Sequence, residues 1–153
     1  MRPYSYIIKS VSGITGTPFA GLATPATTSI EIVRIELGQQ DSETSQQEIL
    51  MLVRRSTNST FPNVAERVVL DETDAGTLLA ATSITNGIGV ATATGSYTAS
   101  MMRWTFNALN GFLYLPVPEE RPIVKPSSFA TLEFLTAPAA NTYSGHIIYR
   151  ELS

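Results

Sequence analysis

The stretch from Val11 to Arg55 constrains the fold more than any other part of the chain. A glycine- and threonine-rich lead-in, VSGITGTPFAGLATPATTS, precedes two apolar runs, IEIVRIEL and EILMLVRR, separated by the polar GQQDSETSQQ. Both runs are rich in apolar and β-branched residues and alternate in part with period two, the pattern of a strand. In Ile30 to Leu37 the apolar set changes face near Val33: Ile30 and Ile32 share one side, and Val33, Ile35 and Leu37 the other. That predicts a strand buried on both sides for part of its length. Glu48 to Arg55 reads the same way, with Leu50 and Leu52 on one face and Ile49, Met51 and Val53 on the other.

The remaining segments are short and punctuated. Strands are predicted at Tyr4–Lys9, Ala65–Leu70, Met101–Asn107, Phe112–Leu115, Phe129–Leu135 and Ile147–Leu152. Residues 11–29 hold three glycines and two prolines and read as an extended arm or long loop. Residues 77–100 read as loop with a short strand. Asn110-Gly111 is a tight-turn dipeptide, and it predicts a hairpin between Met101–Asn107 and Phe112–Leu115. PVPEERPIVKPSS carries four prolines in thirteen residues. Proline cannot donate to a ladder, so this is an edge segment or a surface loop. The expected fold is all-β, a jelly-roll-like β-sandwich of about eight antiparallel strands with an extended N-terminal arm, in a single domain over residues 1–153.

Composition narrows the function classes. With 153 residues the chain can bury a core without staples. It has no cysteine, which excludes disulfides, thiolate catalysis and Cys-ligated zinc. Net charge is −3 and the only lysines are Lys9 and Lys125, so phosphate neutralisation on nucleic acid is not expected. No apolar run approaches the roughly 20 residues that span a bilayer, and no signal-peptide core follows Met1. Only 15% of residues are charged while threonine numbers 19, which suits a surface of neutral polar residues or one covered by a partner.

The residues that carry chemistry elsewhere are not arranged for it here. His146 is the single histidine, and no Gly-x-Ser-x-Gly elbow stands ready to use it. Glu119 and Glu120 are adjacent and point apart in extended chain, a poor pair for glycoside hydrolysis. Asp71, Glu72 and Asp74 alternate as calcium ligands do, without the full ligand loop. Gly87 and Gly89 lack the lysine of a phosphate loop. Asn58-Ser59-Thr60 fits a glycosylation acceptor and reads as a chance match. Arg54 and Arg55 either meet an acidic partner or pair with Glu31, Glu36 or Glu48 across their sheet. Trp104, Phe106, Phe112 and Tyr114 form either a sugar-stacking platform or core. No catalytic residue, cofactor or metal is expected.

The run VSGITGTPFAGLATPATTSIEIVRIEL, followed by LVRRST at Leu52 to Thr57, resembles a family of small structural proteins of tailed bacteriophages that includes capsid decoration, or cement, proteins. TAPAANTYSGHIIYREL resembles the family's closing turn and strand. The resemblance implies a jelly-roll-like domain on the exterior of the virion capsid, made in the host cytoplasm. It implies no enzymatic activity. The implied partners are the major capsid protein and further copies of the chain, a trimer before a dimer, with neither nucleic acid nor membrane. The expected contact regions are 11–29 and 116–128, with Ile14, Phe19, Leu22, Arg54, Arg55, Pro116, Pro118 and Pro122 as partner-binding residues. The alternatives are a carbohydrate-binding or host-recognition module of the virion, and a tail or head-to-tail component.

Overall fold

In a computed structural model of the chain, residues 3–12, 16–40, 46–56, 59–64, 67–70, 85–136 and 142–152 are described. They form β1 (Pro3–Ser12), β2 (Pro18–Ala23), β3 (Ser29–Gln39), β4 (Gln47–Arg55), β5 (Asn63–Val64) and β6 (Arg67–Val69). Then follow β7 (Thr85–Ile88), β8 (Tyr97–Asn107), β9 (Phe112–Tyr114), β10 (Ile123–Val124), β11 (Phe129–Phe134) and β12 (Thr142–Leu152). All the ladders are antiparallel. One sheet runs β10-β3-β12-β1-β6, with β9 also paired to β3, and the other runs β5-β7-β2-β11-β4-β8.

The pairing is nested. β1 pairs β12, β2 pairs β11, β3 pairs β9 and β10, and β4 pairs β8. β9 and β10 lie end to end along β3, against Ile35–Leu37 and Ile30–Glu31, and act as one broken edge strand. A chain folded in half and rolled in this way is a jelly roll. β5, β6 and β7, from the connection between β4 and β8, extend both sheets beyond that frame.

Alternation builds the core between the sheets. On β1, Tyr4, Tyr6 and Ile8 point inward, and a register shift lets Val11 do the same. The face change in β3 has a different cause from the one predicted. Ile148 lies opposite Arg34 and Tyr149 opposite Ile32, which leaves Val33 as the extra residue of a bulge. Ile30, Ile32, Ile35 and Leu37 therefore all face inward and are fully buried, while Val33 is half-buried. β4 is covered on both faces as predicted, with Leu50 and Leu52 inside and Met51 and Val53 outside, all buried.

Residues 11–29 correct the expected arm. Val11 and Ser12 finish β1, and Pro18–Ala23 is an inner strand with all six residues buried. A register shift opposite Leu132/Glu133 leaves Phe19 as the unpaired residue of β2. Phe19 stacks on Phe134 with ring centroids 5.0 Å apart, and Phe134 meets Tyr143 of the facing sheet, again at 5.0 Å. The predicted hairpin is also corrected. β8 pairs β4 in one sheet and β9 pairs β3 in the other. The link is a short 3-10 turn, Ala108–Asn110, with Gly111 at φ 69.

Phe61, from the connection between β4 and β8, packs on the outer face of the second sheet beside Phe129. Phe61 sits in a slot where β2 and β7 carry Gly21 opposite Gly87. A Cβ on Gly87 would stand 2.7 Å from Cβ and Cγ of Phe61. We predict that Gly87→Ala expels Phe61 and destabilises the fold by about 1–3 kcal/mol, the usual cost of overpacking; an unshifted urea midpoint would show that the slot is not required.

Tyr6 ties the two sheets. It is fully buried, and its hydroxyl donates to the Gly87 carbonyl at 2.6 Å. Burial pushes its pKa far above the ordinary tyrosine value. The folded state thus holds this proton more tightly than the unfolded state, so the contribution to stability is full below the unfolded pKa of about 10 and falls as pH rises beyond it. Tyr6→Phe is expected to cost about 1–3 kcal/mol at neutral pH, by orphaning a buried carbonyl. It should also flatten the decline of the urea midpoint above about pH 10.

Candidate functional site

Consecutive residues on a strand point to opposite faces, and this separates the two arginines that end β4. Arg55 turns to the outer face of its sheet and is buried. Its guanidinium donates to Glu133 Oε2 at 2.6 Å, to Thr131 Oγ1 at 3.4 Å and to the Gly95 carbonyl at 2.5 Å. It therefore pins the returning chain onto β11, and it is not available to a partner. Its carboxylate is Glu133, not Glu31, Glu36 or Glu48. Glu31 and Glu36 belong to the other sheet, and Glu48 is fully buried on the inner face. Arg54 follows Leu52 to the opposite side, at the rim of the sandwich, and is half-buried.

The other expected partner residues also divide. Phe19 and Leu22 are fully buried in the core, so they cannot bind a partner from the surface. Ile14 lies outside the described residues. Pro116 and Pro122 are buried and Pro118 is exposed. The proline-rich segment is an edge segment, as its composition predicts: the Pro122 carbonyl accepts from Ile32 N–H at 3.0 Å, and β9 and β10 have no second neighbour among the described residues.

This edge concentrates exposed apolar side chains. Leu109, Leu113, Leu115, Val117 and Ile123 are 49–65% exposed. The register continues the pattern onto the outer face of the first sheet. One row across it reads Ile7, His146, Glu36 and Leu113, and another Pro3, Arg150, Glu31 and Ile123. Charged groups there are internally matched. Arg150 donates to Glu31, which Arg121 also approaches at 3.7 Å, and Arg34 donates to Glu36. His146 Nε2 is 3.7 Å from Glu36 Oε2. The carboxylate that would orient a catalytic imidazole is thus shared with a guanidinium in open water, where such pairs are weak. Beside them a cleft of about 670 Å3 is lined by Arg34, Glu36, Gln39, Asn110, Leu113 and Ser144.

The aromatic cluster packs against the core, with Phe106 and Phe112 buried and Trp104 and Tyr114 half-buried. Trp104 and Phe106 from β8 meet Phe112 and Tyr114 from β9, with centroids 4.8–5.4 Å apart, and close one side of the sandwich. The ring planes are tilted 49–50° to one another. Glu119 and Glu120 are exposed in a 3-10 turn, Pro118–Glu120. Asp71, Glu72, Asp74 and Asn58 lie outside the described residues, and among those described no group of three or more metal-ligating side chains forms. Sequence reasoning missed Glu133, whose partner is 78 residues away, and Lys125, which the fold brings beside Arg54.

No family model, curated protein or solved structure matches the chain.

The two arginines are expected to separate by stability. Arg55→Ala should cost about 3–5 kcal/mol, because it strands Glu133 as a buried unpaired charge. Arg54→Ala should stay within about 0.5 kcal/mol. Equal urea midpoints for the two variants would contradict the assignment.

Proposed function

We propose that this chain is a non-enzymatic structural protein of a bacteriophage virion, which binds the exterior of the assembled head and stabilises the major capsid shell. The observation that carries this reading is the apolar edge at 109–123. Monomeric proteins seldom gather exposed apolar side chains along a sheet edge unless something covers them. The partner is the one implied by the resemblance of Val11–Leu37 and Leu52–Thr57 to a family of small phage structural proteins that includes decoration proteins. Prolines 116, 118 and 122 interrupt the edge, so a shell segment adds at most a few ladder bonds at β9 and β10, and side-chain burial supplies most of the contact. A protein that binds only the assembled shell stabilises it by mass action. A small oligomer, with a trimer favoured, gains further through effective concentration.

Val11, Phe19 and Leu22 of the 11–29 region are buried in the core and are not offered to this contact. The test is co-sedimentation with empty heads of the phage that encodes the chain. Leu113→Asp with Leu115→Asp is expected to weaken binding at least tenfold, about 1.4 kcal/mol, with the domain still folded. Wild-type binding that survives this change unaltered places the contact elsewhere, and wild-type protein that never sediments with heads removes the reading.

A second reading, glycan recognition by the virion, is favoured by the 670 Å3 cleft, whose polar lining stands beside the apolar wall of Leu113. Its size falls in the usual range for small-molecule sites. Binding on a glycan array that Asn110→Ala abolishes supports it over shell attachment.

A further inference from the structure

The rim of the sandwich next to Arg54 holds a second, smaller cleft of about 230 Å3. Its lining is Arg54, Arg55, Ser56, Thr98, Lys125, Ser127 and Ser128. Arg55 is neutralised by Glu133. Arg54 and Lys125 form no ion pair among the described residues, although the chain as a whole carries net charge −3. Two uncompensated cations therefore converge on one cleft whose other groups are hydroxyls.

The floor is held rigidly. The Thr24 hydroxyl donates to the Lys125 carbonyl at 2.7 Å, and Ser128 N–H donates to the Thr24 hydroxyl oxygen at 3.0 Å. Thr24 N–H donates to the Ser128 carbonyl at 3.0 Å, and Ser127 N–H to the Pro25 carbonyl at 3.1 Å. Within this clamped turn Ser127 adopts φ 52, the one non-glycine residue with positive φ among those described. Such a conformation persists only where the surroundings over-determine it, and it is concentrated at ligand sites.

We infer that this cleft binds a tetrahedral dianion, inorganic phosphate or sulfate or the phosphate of a monoester. Its two charges match the two unpaired cations. Arg54 offers a planar fork of N–H donors and Lys125 a compact ammonium, the pairing that suits such oxygens. The hydroxyls of Ser56, Thr98 and Ser127 provide further donors. A carboxylate brings one charge and leaves one cation unmatched. The cleft takes about seven waters at roughly 30 Å3 each, more than a bare anion displaces, so it also has room for a group esterified to the anion. The inference does not depend on the shell-binding reading.

The test is an NMR titration of the whole chain at low ionic strength with inorganic phosphate, inorganic sulfate, glucose 6-phosphate, glucose 6-sulfate and acetate. Saturable shifts are expected at the amides of residues 54–56, 98 and 125–128, with dissociation constants on the order of millimolar. Arg54→Ala and Lys125→Ala should each weaken binding at least about tenfold, while Arg103→Ala, an exposed arginine outside the cleft, should match wild type. Glucose 6-phosphate binding more tightly than inorganic phosphate identifies a phosphorylated sugar as the source, and equal affinities identify the free anion; glucose 6-sulfate, with one charge, should bind more weakly than either. Lys125→Gln serves as a second variant if either alanine variant melts early. No saturation by any of the tetrahedral anions, acetate binding as tightly as phosphate, or binding that persists in folded Arg54→Ala/Lys125→Ala would each overturn the inference.

Discussion

β12 is the strand on which the first sheet depends. It is flanked along its length by β1 on one side and β3 on the other. Its inward residues Tyr143, Ile147 and Tyr149 are buried, and Tyr143 meets Phe134 of the facing sheet. Its outward residues His146 and Arg150 reach the carboxylates of β3. One strand thus sets the register of its neighbours, contributes to the contact between the layers and organises the charges of the open face. Burying its aromatic side chains contributes roughly 1.5–3 kcal/mol each, far more than the exposed ion pairs above them.

Much of the strand content was legible in the sequence, because alternation is a local property. Ile30–Leu37, Glu48–Arg55 and Phe129–Leu135 all form strands close to their predicted bounds. Assignment of strands to sheets was not legible, because it depends on distant partners. Asn110-Gly111 looked like a hairpin turn, yet the strands on either side belong to different layers. The lead-in to β3 looked like an arm because glycine and proline break the pattern. In the structure Gly21 makes room for a ring, and Pro18 lies at a register shift where a missing donor does little harm. At Val33 one added residue mimicked a strand buried on both faces.

The candidate sites show the same division. The proline-rich edge could be read from composition, since four missing donors exclude a central strand. The split between Arg54 and Arg55 required Glu133, and the charge cluster at the rim required Lys125, which the β10–β11 turn carries across the sandwich. On the outer face of the second sheet Phe61 and Gly95 of the β4–β8 connection cover the Gly21, Gly87, Phe129 and Arg55 region, and Met51, Val53 and Thr131 are buried. Among the described residues, exposed apolar side chains gather along the β9–β10 edge of the first sheet, and the clustered cations lie at the rim.

The nested order of the ladders also decides how this molecule comes into being. The innermost pair of the jelly-roll frame, β4 with β8, already spans the whole intervening connection, and every other frame pair encloses more chain, the return of β9 and β10 to β3 included. A topology so poor in neighbouring-residue contacts searches slowly, and all-β chains of this kind fold on millisecond to second timescales. During synthesis β1 and β3 leave the ribosome well before β12 exists to separate them. Each then waits as an uncovered strand with one apolar side. The interval before β12 appears, and not the finished fold, is when this protein is most exposed to pairing with the wrong chain.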